Sequence, residues 1–109
     1  MTILAVDDRV ENLENLITEL GNVYQGSQVI GFKNPLMAVK YGYEHPINMV
    51  FTAVEMKQLS GFSVAMLLRS RHGSPLPVIL LTDSDQWRQL GTELHIQEQF
   101  EDSYSTYLY

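Results

Sequence analysis

Val50-Phe-Thr-Ala-Val-Glu-Met-Lys-Gln-Leu-Ser-Gly61 decides the fold of this chain. It begins as an apolar, β-branched run, passes into a polar loop, and ends in Ser60-Gly61, a pair that opens a helix. A strand leading through a loop into a helix is the repeating unit of a parallel α/β sheet, and the carboxyl end of such a strand is where these folds keep their chemistry. The side chain at the mouth of this loop is Ala53, a methyl group that can neither accept a phosphoryl group, bind a metal nor move a proton.

Outward from this unit the pattern repeats. Thr2–Val6 (TILAV) predicts a strand, followed by a turn at Asp7-Asp8 and a helix whose apolar residues Val10, Leu13, Leu16, Ile17 and Leu20 fall at helical spacing until Gly21. Ser27–Phe32 predicts a second strand, and Asn34-Pro35 occupies the N-cap and first-turn positions of a helix running to about Tyr43. Ile47–Ala53 is the third strand, apolar enough to be covered on both faces. The third helix passes Leu67 and Leu68 and is broken by HGSPLP; Val78–Thr82 is the fourth strand; Ser84 opens a helix containing Trp87 and Leu90. Beyond that the pattern weakens: IQEQFED is a poor strand around Phe100, and SYSTYLY is too short for a closing helix. The order βαβαβαβ, followed by this weaker fifth unit, predicts a doubly wound parallel sheet.

Composition limits the function. The 109 residues suit one domain, residues 1–109, with 45% hydrophobic and 18% charged content. A net charge of −6 argues against direct nucleic-acid or membrane binding by general electrostatics. No apolar run approaches the ~20 residues of a membrane span, and Met1 leads into a strand without a leader, so the expected compartment is the cytoplasm. The absence of cysteine excludes disulfides, thiolate metal sites and thiol nucleophiles.

The predicted topology gathers Asp7, Asp8, Ala53, Glu55 and Thr82 around one crevice. Adjacent carboxylates with a third acidic residue nearby suit a hard divalent cation such as Mg²⁺; the competing reading has Asp8 capping the first helix and Asp7 solvated. Asp83 and Asp102 add negative charge to the rim, with Arg9 and Lys57 the nearest cations in sequence, each either an internal counter-ion or a solvated loop residue. Thr52 is excluded as a substitute acceptor, because successive strand side chains point to opposite faces. His45, His72 and His95 lack ligand partners at helical spacing and read as loop or surface residues. The aromatics Trp87, Phe100, Tyr104, Tyr107 and Tyr109 crowd the last quarter, either as an interface or as cover for the sheet.

ILAVDD, VFTAVEMKQLSG, PVILLT and ELHIQEQFEDS stand in the order and spacing of the receiver domains of two-component response regulators. The chain most resembles the branch that carries LytTR DNA-binding domains. That resemblance implies a flavodoxin-like, CheY-like five-stranded parallel sheet of order 2-1-3-4-5 with a short or missing closing helix, and a role in phosphorelay signal transduction and transcription regulation. It makes Asp7 and Asp8 the Mg²⁺-holding pair, Glu55 a ligand through its backbone carbonyl, Thr82 and Phe100 switch residues, and Trp87, Phe100, Tyr104 and Tyr107 a dimer interface on the fourth-helix and fifth-strand face. It also shows two departures: Ala53 stands where the phosphoacceptor aspartate belongs, and Asp102 where a lysine belongs. The reading is a degenerate pseudo-receiver, not an enzyme, that needs no cofactor beyond weak Mg²⁺ and acts by protein contacts. The alternative is a metal- or ligand-responsive receiver using the Asp7/Asp8 pocket, with an output domain outside this chain. A haloacid-dehalogenase-like phosphatase would need its two acids two residues apart, and a flavodoxin would need a Ser/Thr/Gly phosphate loop where DDRVEN stands.

Overall fold

The computed structural model describes residues 1–82 and, of the remainder, the backbone of two strands, Thr92–Glu93 and Ser105–Leu108. The elements run β1 (Thr2–Val6), α1 (Val10–Val23), β2 (Gln28–Phe32), α2 (Pro35–Glu44), β3 (Met49–Ala53), α3 (Gly61–His72), β4 (Val78–Thr82), β5 (Thr92–Glu93) and β6 (Ser105–Leu108). β1 pairs in parallel with both β2 and β3, and β3 in parallel with β4, giving the order β2-β1-β3-β4 across the described core. This is a flavodoxin-like α/β fold of the CheY type.

Strand alternation sends side chains to two separate cores. Ile3, Ala5, Phe51, Ile79 and Leu81 pack with Leu13, Leu16 and Leu20 of α1 on one face of the sheet. Leu4, Val50, Val78 and Leu80 pack with Val64, Ala65 and Leu68 of α3 on the other, where α2 also lies. All five residues of β4 are buried, which explains why its sequence shows no polar alternation. Fully burying a leucine such as Leu16 or Leu20 contributes about 1.5–3 kcal/mol, so the 3.6-residue apolar stripe of α1 is its main tie to the sheet.

Two boundaries and the strand beside β4 differ from the sequence expectation. α1 does not stop at Gly21 but continues to Val23; a Cβ at Gly21 would meet nothing within 4 Å, so this is an exposed helical position where glycine costs only about 1 kcal/mol. The chain turns at Gly26, whose φ of 85° lies in the left-handed region that glycine tolerates. β3 begins at Met49, because Ile47 is drawn into the core while the Asn48 side chain accepts a hydrogen bond from the Thr2 N–H at 2.8 Å. The strand beside β4 is β6, paired antiparallel with Leu80 opposite Tyr107, and β5 pairs antiparallel with β6. Ser105–Leu108 is thus a strand rather than the remnant of a helix, in keeping with the β-branched and aromatic residues of STYL. The expected helix after Ser84 and the expected parallel strand around Phe100 lie outside the described residues.

Candidate functional site

Register fixes the crevice. Val6 lies opposite Thr52 and Ala53 opposite Leu81, so Asp7, Ala53 and Thr82 leave three adjacent parallel strands at nearly the same level. β3 then turns sharply: Val54 N–H donates to Leu81 O at 3.1 Å, and Gly61 N–H donates back to Val54 O at 2.9 Å. A Cβ on Gly61 would sit 2.3 Å from the Ala53 carbonyl oxygen, so glycine permits α3 to start against the end of β3. Ser60 caps α3 by accepting from the Ser63 N–H at 3.2 Å.

Asp7 is buried, 3% exposed, not the solvated residue of the simpler reading. Its Oδ1 accepts from the Arg9 N–H at 3.0 Å and lies 3.8 Å from Arg9 Nε. With the Asn12 amide turned so that its oxygen faces the guanidinium, that oxygen accepts from Arg9 Nη2 at 3.1 Å and Nε at 3.2 Å. Arg9 is therefore held between Asp7 and Asn12. Burial pushes the Asp7 carboxyl above its usual range; the Arg9 N–H and charge oppose that, and Asp8 adds to it.

Asp8 does not cap α1. The N-cap is Arg9, without a side-chain cap, and Asp8 Oδ2 instead accepts from the Lys57 N–H at 2.9 Å, tying the β1–α1 turn to the β3–α3 loop. Glu55 carries a contact the sequence did not suggest: its carboxylate accepts from Thr82 Oγ1, at 3.0 Å to Oε1 and 3.2 Å to Oε2. Thr52 directs its hydroxyl to Ala53 O at 3.0 Å, which fits its exclusion as an acceptor.

The resemblance brings Mg²⁺ to this crevice, and the donor set fits it poorly. Asp7 already faces a guanidinium and Asp8 a backbone N–H, and among the described residues no three acidic or histidine side chains form a metal-holding group. The described histidines supply none: His45 stacks on Tyr41 at 4.0 Å, and His72, half-buried, bonds through Nε2 to the Gly42 carbonyl from the last turn of α3. Asp83, Trp87, His95, Phe100, Asp102, Tyr104 and the Tyr107 side chain lie outside the described residues.

Among the described residues, two cavities open on the crevice and share Asp8, Arg9 and Lys57. One, of about 620 Å³, reaches Val54, Met56 and Phe62; the other, of about 350 Å³, reaches Lys33 and the start of α2. Lys33 escaped the sequence reading, although its place just after β2 put it at the same sheet edge.

A parallel sheet of this order, with an acidic pair after β1 and a hydroxyl ending β4, defines a CheY-type α/β domain. The sequence matches the response regulator receiver domain over residues 3–99. The chain belongs to that family, the receiver domains of two-component response regulators. Among solved structures it is similar to the response regulator TrrA from Thermotoga maritima in complex with Mg²⁺-BeF, at 30% identity and a TM-score of 0.70 over 81% of this chain and 74% of that one. It also resembles the chemotaxis protein CheY4 of Vibrio cholerae, at 21% identity and a TM-score of 0.70 over 81% and 74%. The receiver domain of the sensor histidine kinase PA1611 from Pseudomonas aeruginosa, with a magnesium ion in its active-site cleft, matches at 22% identity and a TM-score of 0.70 over 81% and 73%. No curated protein sequence matches. Among the described residues, no helix is long and apolar enough to cross a membrane.

Proposed function

We propose that this chain is a pseudo-receiver: a non-catalytic signalling module that keeps the receiver fold but does not accept a phosphoryl group. The observation that carries this reading is Ala53 at the end of β3, between Asp7 and Thr82, where a receiver needs a carboxylate. Two further features support it. Thr82, the hydroxyl that the resemblance assigns to phosphoryl oxygens, already donates to an internal anion, Glu55. Arg9 supplies Asp7 with a resident cation. A domain wired in this way signals through what binds its surface, and the aromatic last quarter with Trp87 and Phe100 is the proposed protein-contact face. The sequence motifs further favour the LytTR-bearing branch, whose output would be transcriptional.

Beryllofluoride with Mg²⁺ tests this reading, since the complex forms on an aspartate carboxylate in the receiver crevice. Amide spectra of the chain should be unchanged by the mixture at Val54, Glu55 and Thr82. Saturable shifts at these residues that need both components would contradict it.

A further inference from the structure

We propose that the crevice is a non-covalent binding site for a small organic phosphate, with the phosphate in the Lys33 cleft and an apolar ring in the adjoining groove. The inference does not rest on Ala53 being inert to phosphodonors.

Its basis is a charge distribution at odds with the rest of the chain. Acidic residues outnumber basic ones by thirteen to seven, yet three of the seven cations, Arg9, Lys33 and Lys57, line one cleft of about 350 Å³. They come from three separate connections, after β1, β2 and β3, so only the fold brings them together. Among the described residues neither Lys33 nor Lys57 makes an ion pair, whereas Arg9 is partly occupied by Asp7. Asp8 is the one carboxylate on this described lining, and its Oδ2 is taken by the Lys57 N–H. On the described lining three cations, one of them paired with Asp7, face one carboxylate, which leaves that lining net positive, and such a set suits a dianion.

The neighbouring groove has another character. Of about 620 Å³, within the usual range for small-molecule sites, it is floored by Val54, Met56 and Phe62, and its two cations are balanced by Asp8 and Glu55. The two cavities meet at Asp8, Arg9 and Lys57, so a single ligand can place its charge in one and its ring in the other. Methionine and phenylalanine offer a polarizable, aromatic floor for a planar ring. A free phosphate would use only half of this site and a neutral ring only the other half.

Isothermal titration calorimetry and amide spectra with phenyl phosphate, inorganic phosphate and phenol test the proposal on the whole chain. Phenyl phosphate should bind saturably, shift the amides of Lys33, Met56, Lys57 and Phe62, and leave the protein mass unchanged. Inorganic phosphate and phenol should each bind more weakly by about ten-fold or more. The exposed pair Lys33→Gln/Lys57→Gln should weaken phenyl phosphate by about ten-fold while the thermal midpoint stays put. No saturable binding, binding indifferent to the double variant, or equal affinity for inorganic phosphate would each overturn the two-part site.

Discussion

Thr82 Oγ1 lies 3.0 and 3.2 Å from the two carboxylate oxygens of Glu55, so the hydroxyl at the end of β4 and the acid in the β3–α3 loop are joined across the crevice. The link makes the loop's position a property of the chain itself. Thr82→Val keeps the shape but removes the donor. Glu55 is exposed and regains water, so the loss should be modest, about 1 kcal/mol by urea denaturation. A double-mutant cycle with Glu55→Ala should give a coupling of about 0.5–1 kcal/mol; strictly additive effects would show that the contact contributes nothing.

Gly61 is the tightest point in the crevice. A Cβ there would lie 2.3 Å from the Ala53 oxygen and 3.1 Å from Val54 Cα, both backbone atoms that cannot swing aside. Gly61→Ala should therefore cost about 1–3 kcal/mol despite alanine's better helix propensity, whereas Gly21→Ala, with open space around it, should stabilise by up to about 1 kcal/mol. Thermal melts of the two variants should move in opposite directions.

The sequence disclosed the strands and helices well because each buried strand is a short apolar run between breakers, and because Asn34 and Ser60 stand at true N-caps. It disclosed the crevice through topology alone. It did not disclose the wiring there. Whether Asp8 caps its own helix or reaches Lys57, 49 residues away, depends on a loop placed by tertiary packing. The same holds for the Glu55 side chain, assigned from the resemblance only as a carbonyl ligand, and for Lys33, whose meaning appears once three connections converge. α1 runs past Gly21 because an exposed glycine costs too little to stop a well-packed helix.

Asp7 predicts a pH dependence. Burial raises its folded pKa above the value of 3.8 usual for the unfolded chain. The native state therefore holds the proton more readily, and this group's contribution to stability is full below the unfolded pKa and lost as pH rises through the folded one. Asp7→Asn keeps an oxygen for the Arg9 N–H and removes the buried charge. It should be more stable than the parent at neutral pH, with the advantage vanishing at about pH 3. An advantage that instead grew on acidification would reverse the sign of the burial effect.

Ala53→Asp returns an acceptor but should not return a switch. The new carboxylate joins Asp7 and Asp8, Thr82 is already held by Glu55, and on the proposed reading the chain has no lysine to neutralise the phosphoryl group. Light scattering with and without acetyl phosphate should show the same mass for this variant. Phosphodonor-dependent dimerisation would mean that the missing lysine matters less than proposed.

The most direct test of the central claim is intact-mass spectrometry of the unaltered chain after incubation with acetyl phosphate and Mg²⁺, with Ala53→Asp treated in parallel. No phosphoryl adduct should appear on the parent chain under conditions that label the variant. A stable acyl phosphate on the parent, mapped to any carboxylate of the crevice, would contradict it.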